Sequence, residues 1–173
     1  FFKDSKIKFP AYEPWISNED KKNVIKTLNQ SMLTLGPQLE KFESDFSKYS
    51  NSKYAIAVSN CTAALHLSLM ALGIKKDDEV IIPDLTFVAD ANAVLACNAK
   101  PVIADINKEN FFLSISNIKK NITKKTKAII PVHIYGQVCN IEEIMDVAKD
   151  NNLKVIEDCA HAVGTFHKSK HVG

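Results

Sequence analysis

The sequence predicts an α/β fold in which a mostly parallel sheet is covered by helices on both faces. From residue 54 onward, short apolar runs alternate with stretches whose large apolar residues recur at helical spacing. The apolar runs are continuous, which is typical of strands buried on both faces. The predicted architecture of this part of the chain is therefore three-layered, α/β/α.

The composition excludes several classes of protein. The chain has 173 residues, which is enough for one domain with a hydrophobic core. Lys+Arg 22 against Asp+Glu 20 is too balanced for a nucleic-acid binder, and all the basic residues are lysine. No apolar run reaches the length of a membrane span and no secretory leader is visible. The chain begins with Phe1, so we expect it to be part of a longer protein.

The cysteine pattern predicts a reduced, cytoplasmic protein without a metal site. The four cysteines have no CxxC spacing, and no paired histidines stand at metal-site intervals. Free thiols of this kind are typical of the reducing cytoplasm. They are Cys61, Cys97, Cys139 and Cys159.

Residues 1–53 are predicted to form an N-terminal helical segment, and residues 54–173 the α/β part. The stretch up to Trp15 contains two prolines and is predicted to be extended. Ser17 is the predicted N-cap of a first helix. Leu35-Gly36-Pro37 breaks that helix, and an amphipathic helix follows over residues 39–49.

Five strands and four helices are predicted after residue 53. The predicted strands are Tyr54–Val58, Glu79–Ile82, Pro101–Ala104, Ala128–Val132 and Lys154–Ile156. The predicted helices are Thr62–Leu72, which Gly73 ends, Ala89–Ala96, Ser116–Asn121 and Ile141–Lys149, the last capped by Asn140 with Glu143 three residues on.

The turn Ser59-Asn60-Cys61-Thr62 organises the predicted α/β part. It joins a predicted strand to a predicted helix, so the first helical N–H groups have no partner within the helix. The helix dipole adds positive charge at the same place, which suits a bound phosphate. The alternative is an ordinary turn with a Ser or Thr cap that binds nothing.

Polar and aromatic residues follow the predicted strands, at the edge where ligands bind in open α/β sheets. Each also has a structural interpretation: Phe87 as a core residue, Asp105 as a loop cap and His133 as a hydrogen-bonded structural histidine. Asp158 comes two residues after the apolar run Val155-Ile156, and a buried carboxylate needs a partner. No G-x-G-x-x-G follows the first predicted strand, which disfavours a dinucleotide-binding domain.

Several motifs in one order carry a family resemblance from about Pro14 to Gly173. The chain resembles the pyridoxal-phosphate-dependent nucleotide-sugar aminotransferases of the DegT, DnrJ, EryC1 and StrS family. The motifs are Leu35-Gly36-Pro37, Ser59-Asn60-Cys61-Thr62-Ala63-Ala64-Leu65-His66, Thr86-Phe87-Val88-Ala89, Pro131-Val132-His133-Ile134-Tyr135-Gly136 and Glu157-Asp158-Cys159-Ala160-His161-Ala162-Val163-Gly164.

The resemblance implies an aspartate-aminotransferase-like (fold type I) large domain and a role for each of five residues. Cys61 and Thr62 are expected to hold the phosphate of pyridoxal 5'-phosphate, and Phe87 to stack on its ring. Asp158 is expected to pair with the ring nitrogen, and His161 to lie near the phenolic oxygen. Cys61 is a departure, because the family usually has glycine there, and a positive φ would strain a cysteine.

The resemblance further implies that the chain is an N-terminal portion. The family's Schiff-base lysine and its small C-terminal domain are expected beyond Gly173, so this chain is expected to be inactive alone. The implied whole is a cytoplasmic homodimer with its active site at the subunit interface. It is expected to move an amino group, from glutamate, to a keto-sugar nucleotide in amino-sugar, polysaccharide or lipopolysaccharide biosynthesis. A sugar dehydratase of the same family and a non-enzymatic sensor or partner remain the alternatives.

Overall fold

The computed structural model describes residues Glu13–Gly173. They divide into two compact units, one ending at Phe42 and the other running from Glu43 to Gly173. Most of the predicted extended segment before Trp15 lies outside the described residues. The division at residue 53 into a helical segment and a cofactor-binding domain stays a prediction.

The first unit contains helix α1 (Asn18–Leu28) and the start of helix α2 (Pro37–Ser50). Ser17 caps α1 as predicted, because its hydroxyl accepts the Asp20 N–H at 3.1 Å. The Asp20 carboxylate in turn accepts the Ser17 N–H at 2.7 Å, which completes a capping box. Leu35 has a φ of 51° in the break between the two helices, where a helix cannot continue.

The second unit contains the α/β part. Ser59-Asn60 leads into helix α3 (Cys61–Ala71), and Gly73 ends that helix at a φ of 78°, as predicted. Among residues 13–173, no helix has both the length and the apolar character to cross a bilayer. The further elements are α3 (Cys61–Ala71), β1 (Glu79–Pro83), α4 (Ala89–Ala96), β2 (Lys100–Ala104), α5 (Ile115–Asn121), β3 (Thr126–Ile129), a 3-10 turn (Ile134–Gly136), α6 (Ile141–Asp150), β4 (Lys154–Val155), β5 (Phe166–His167) and β6 (Lys170–His171).

The main sheet has four parallel strands in the order β2-β1-β3-β4. All five residues of β1 are buried, as expected for a central strand. Strands β5 and β6 form a separate antiparallel hairpin, which the sequence analysis did not predict.

Helices cover both faces of the sheet, so the three-layer prediction is confirmed for this unit. On one face Val80 and Ile82 of β1 pack in a cluster with Leu65 and Leu69 of α3. On the other face Ile81 packs in a cluster with residues of α5 and α6. The alternation follows from the pleat of β1, which points successive side chains to opposite faces.

The predicted first strand, Tyr54–Val58, is wrong. This segment forms no strand, and Tyr54 and Ile56 are 74% and 81% exposed. A strand requires the backbone of a neighbour, and no part of residues 13–173 pairs with this segment. Its backbone is held instead by a side chain, since the Ala57 N–H donates to Glu43 Oε1 at 2.8 Å.

Two local predictions also need correction. Strand β3 ends at Ile129 instead of Val132, because Pro131 has no N–H to donate; Val132 keeps only an isolated bridge to Asp158. Asn140 does precede α6, but its side chain makes no capping hydrogen bond. Its backbone carbonyl accepts the Ile144 N–H at 3.0 Å instead, so the predicted side-chain cap is wrong.

Candidate active site

The carboxyl ends of the parallel strands lie at one edge of the sheet, and polar residues follow them there. Thr86 follows β1, His133 follows β3 and Asp158 follows β4. Backbone pairing continues past the strand ends, because the His133 N–H donates to the Asp158 carbonyl at 3.1 Å and the Asp158 N–H donates to the Pro131 carbonyl at 2.9 Å. These bonds fix Asp158 beside His133 at the sheet edge.

Helix α3 begins at the same edge with free backbone donors. Asn60 is its N-cap, and its side-chain oxygen accepts the Ala63 N–H at 2.9 Å. The backbone N–H groups of Cys61 and Thr62 have no acceptor within the described part of the chain. The start of α3 therefore combines unpaired donors with the positive end of the helix dipole, which suits an anion.

Cys61 fits this turn without backbone strain. It is the first helical residue of α3 and is not among the described non-glycine residues with positive φ. The conformation therefore does not require glycine at this position, and the expected strain is absent.

Asp158 is buried, with 6% of its surface exposed. Its Oδ1 accepts the Ala160 N–H at 2.8 Å and lies 3.7 Å from the Cys61 sulfur, which donates to it. The predicted need of this buried carboxylate for partners is confirmed. Both donors reach Oδ1, and among residues 13–173 no N–H or S–H group donates to Oδ2.

The Cys61 thiol stays protonated at neutral pH. Cys61 is exposed as a residue, but its sulfur points inward to Asp158 and is partly enclosed. This burial, together with the negative charges of Asp158 and Asp90, raises the pKa of Cys61 to about 11. The thiol is therefore a hydrogen-bond donor to Asp158 and not a reactive thiolate.

A second carboxyl group, Asp90 of α4, meets Asp158 at this site. Asp90 is fully buried, and its Oδ2 accepts the Thr86 hydroxyl at 2.5 Å. Its Oδ1 is buried without a hydrogen-bond donor. Burial, against the opposing effect of the Thr86 hydrogen bond and with the added effect of the nearby Asp158, raises the pKa of Asp90 to about 7.

Asp90 is a residue of this site that the sequence motifs did not predict. It lies three and four residues before Ala93 and Val94, which are 1% and 0% exposed, so helical spacing puts it on the same face of α4. An acid on the apolar face of a short helix is the pattern that could have found it.

Phe87 and Thr62 lie near this site without contacting Asp158. The Phe87 ring is 72% exposed, in the loop between β1 and α4, so the alternative of a core phenylalanine is wrong. Thr62 is half-buried in the first turn of α3, and its hydroxyl makes no hydrogen bond within the described chain. Neither residue makes a hydrogen bond or ring contact with Asp158 or His161 among residues 13–173.

His161 is exposed and held by Tyr135. The two rings stack with centroids 5.8 Å apart and an angle of 18° between their planes. His161 Nδ1 also accepts the Tyr135 N–H at 3.4 Å. His161 stands three residues after Asp158, on the loop that leaves the sheet edge.

His133 has a structural role, as one of the two interpretations expected. It is fully buried, and its Nδ1 accepts the Cys139 N–H at 3.2 Å. Nδ1 therefore carries no proton, so Nε2 is protonated and donates to Glu157 at 2.8 Å. Asp105 has a local role too, since its Oδ1 accepts the Ile106 N–H at 2.9 Å.

The residues at this edge fit pyridoxal phosphate. Its phosphate suits the unpaired N–H groups of Cys61 and Thr62. Its protonated ring nitrogen suits the buried carboxylate of Asp158, and its flat ring suits the exposed face of Phe87. Among residues 13–173, no three His, Cys, Asp or Glu side chains cluster so that they could hold a metal ion.

Residues 14–173 match the model of the DegT/DnrJ/EryC1/StrS aminotransferase family. The chain is also similar to GDP-perosamine synthase of Escherichia coli O157:H7, with 44% identity over 165 residues. That alignment covers 95% of this chain and 45% of the relative, so the chain spans less than half the length of this relative.

Two solved structures show the same fold. DesV of S. venezuelae is 34% identical with a TM-score of 0.87, over 90% of this chain and 42% of DesV. A GDP-4-keto-6-deoxymannose-3-dehydratase, solved with a trapped PLP-glutamate geminal diamine, is 26% identical with a TM-score of 0.88, over 95% of this chain and 44% of the dehydratase.

These likenesses confirm two predictions made from the motifs. The fold is the aspartate-aminotransferase-like fold of the fold type I enzymes, of which this chain forms an N-terminal portion. The cofactor of the family is pyridoxal phosphate, as the solved relatives that hold it show. The chain belongs to the DegT/DnrJ/EryC1/StrS aminotransferase family.

Proposed function

We propose that the full-length protein is a pyridoxal-phosphate-dependent sugar aminotransferase. It moves an amino group from an amino acid, glutamate, to a nucleotide-linked keto-sugar in amino-sugar and polysaccharide biosynthesis, such as that of lipopolysaccharide. The observation that carries this proposal is the buried Asp158 carboxylate beside the unpaired N–H groups that begin α3. Together they offer an anion site and a carboxylate at one edge of the sheet.

Asp158 is the catalytic residue of this chain in the proposal. When bound, pyridoxal phosphate supplies an electron sink for the substrate carbanion, and the sink is deepest when the ring nitrogen is protonated. The Asp158 carboxylate holds that proton at the ring nitrogen, because a negative charge in a buried site favours the charged form of its partner. The Ala160 N–H and the Cys61 thiol orient the carboxylate through Oδ1.

The other predicted residues bind and orient. The N–H groups of Cys61 and Thr62 and the Thr62 hydroxyl hold the phosphate at the start of α3. Phe87 would stack on the cofactor ring, since its aromatic face is exposed. His161, held by its stacking on Tyr135, would contact the phenolic oxygen of the bound cofactor.

The substrate class rests on a relative, and the assembly is what the family resemblance implies. GDP-perosamine synthase is named for a nucleotide sugar, and it is 44% identical to this chain. In the proposal the protein is a cytoplasmic homodimer that takes a nucleotide-linked keto-sugar and an amino-acid donor, with the active site at the subunit interface.

A sugar dehydratase is the second candidate. The solved dehydratase with a TM-score of 0.88 supports it. The two differ at the Schiff-base position, where a lysine would indicate the aminotransferase and a histidine the dehydratase. Borohydride reduction of the cofactor-loaded full-length protein distinguishes them: a pyridoxyl-lysine outside the 22 lysines of this chain favours the aminotransferase, and no labelled lysine favours the dehydratase.

The proposed function is tested with the full-length protein, pyridoxal phosphate and glutamate. We expect stoichiometric 2-oxoglutarate, followed by catalytic turnover when GDP-4-keto-6-deoxymannose is added as a representative keto-sugar nucleotide. Omitting the cofactor is the control. A protein that binds the cofactor but releases no 2-oxoglutarate from glutamate would contradict the proposal.

A further inference from the structure

Two carboxyl groups meet inside the candidate site. Asp90 is fully buried, Asp158 is 6% exposed, and the two are close enough to hydrogen-bond. They come from different elements, Asp90 from α4 and Asp158 from the segment after β4. Two adjacent carboxylates in a buried site cannot both be ionised without a large electrostatic cost.

The hydrogen bonds indicate where a shared proton lies. Oδ2 of Asp90 accepts the Thr86 hydroxyl at 2.5 Å, whereas Oδ1 is buried and has no donor. If both groups were ionised, neither could donate to the other and the buried Oδ1 would stay without a partner. A proton on Oδ1 turns this unpaired acceptor into a donor to Asp158 and satisfies both groups.

The proton belongs on Asp90 and not on Asp158. Asp158 accepts the Ala160 N–H and the Cys61 thiol, and such donors stabilise the ionised form of a carboxyl group. Asp90 has one donor, Thr86, and no exposed surface. The pKa of Asp90 agrees with this assignment. Burial, opposed by the Thr86 hydrogen bond and assisted by Asp158, raises this pKa to about 7.

We propose that Asp90 carries a proton on Oδ1 and donates it in a hydrogen bond to Asp158, which makes Asp90 a positioning residue for the carboxylate that faces the cofactor ring. This role in cofactor binding rests on the proposed function, whereas the proton-sharing pair itself does not. Cys61, Ala160 and Asp90 then hold Asp158 with three donors.

The first test is the infrared C=O stretch of a protonated carboxyl group in the cofactor-free full-length protein. Near neutral pH, wild type should show a band that Asp90→Asn lacks and that disappears as the pH rises. Asp146→Asn is the matched control, because Asp146 is an exposed carboxylate on α6. Identical spectra for wild type and Asp90→Asn would overturn the proposal.

The second test separates hydrogen-bond donation from packing. Asp90→Asn keeps a donor for Asp158 and an acceptor for Thr86, whereas Asp90→Leu has a similar shape and neither. We expect Asp90→Asn to keep the cofactor Kd within about threefold and Asp90→Leu to weaken it on the order of tenfold or more, as for the loss of a hydrogen bond to a charged group. Nitrogen-15 NMR of ring-labelled cofactor should show less ring protonation in Asp90→Leu alone.

Each outcome decides one question. Equal Kd and ring protonation in wild type and Asp90→Leu would overturn the positioning role, and so would equal losses in the Asn and Leu variants. If Asp90→Leu does not fold, the infrared comparison with Asp90→Asn still decides the proton-sharing pair. If wild type shows the infrared band but binds no cofactor, the proposed function fails and the pair stands.

Discussion

The buried proton on Asp90 predicts an unusual pH dependence of folding. An acid whose pKa is raised in the folded state keeps its proton there at pH values at which the unfolded chain has already released it. The free energy of unfolding then falls as the pH rises from the ordinary pKa of the acid toward its pKa in the folded state. For Asp90 that window runs from the ordinary pKa of 3.8 to about 7. Asp90→Asn has no proton to lose, so its stability relative to wild type should rise across this window.

The size of the effect follows from the same shift. Each unit of pKa difference corresponds to about 1.4 kcal/mol, and the shift is about three units, from 3.8 to about 7. The upper limit is therefore about 4 kcal/mol, approached above about pH 7. Asp90 has no exposed surface, so solvent screening reduces this value little.

The assay is urea unfolding of the cofactor-free full-length protein, at equal concentration, from about pH 5 to about pH 8. The free energy of unfolding of Asp90→Asn minus that of wild type should increase by at least about 1 kcal/mol over this range. Asp146→Asn should show a nearly constant difference from wild type, since its carboxylate is exposed. A constant difference for Asp90→Asn as well, or one that falls with pH, would refute the reasoning.

Three further predictions concern the surroundings of Asp158. Cys61 should react with iodoacetamide far more slowly at neutral pH than a free cysteine, because its pKa is raised to about 11. The reaction rate, followed by mass spectrometry, should rise toward about pH 11. A fast reaction at neutral pH would contradict the thiol–Asp158 hydrogen bond. His133→Ala should lower the free energy of unfolding by about 3 kcal/mol, since it leaves a cavity and removes the partner of Glu157; a loss below about 1 kcal/mol would be inconsistent with the buried hydrogen bonds. Asn60→Ala should cost about 1 kcal/mol in the same measurement while Asn60→Asp costs little, because only the first removes the cap of α3; equal losses would argue against capping.

The sequence predicted the elements whose residues carry their own local information. β1 was predictable as a continuous apolar run that ends at Pro83, and α3 as a helix that ends at Gly73. Tyr54–Val58 shows the limit, because an apolar run describes the character of a segment but not whether a neighbour pairs with it.

In the candidate site, too, some residues could be predicted from local sequence and others depend on tertiary packing. Asp158 could be predicted because it comes shortly after an apolar run, where a buried carboxylate is costly without partners, and because it stands in one of the family motifs. Asp90 could not be assigned a role, because its contact with Asp158 depends on how the tertiary fold places α4 relative to the segment after β4, which local sequence does not specify. The side-chain cap expected from Asn140 failed for a related reason: the residue type favours a cap, but the backbone there places the side chain elsewhere.

The central claim is that the Asp158 carboxylate holds the proton of the cofactor ring nitrogen. Its most direct test is single-turnover reaction of cofactor-loaded full-length protein with glutamate, comparing wild type with Asp158→Asn and checking cofactor occupancy by absorbance. Asparagine keeps the shape of the side chain and removes its charge, so the reaction should slow by about a hundredfold or more, or about 3 kcal/mol in barrier, with a smaller change in stability. An Asp158→Asn protein that holds the cofactor and reacts at nearly the wild-type rate would contradict this account.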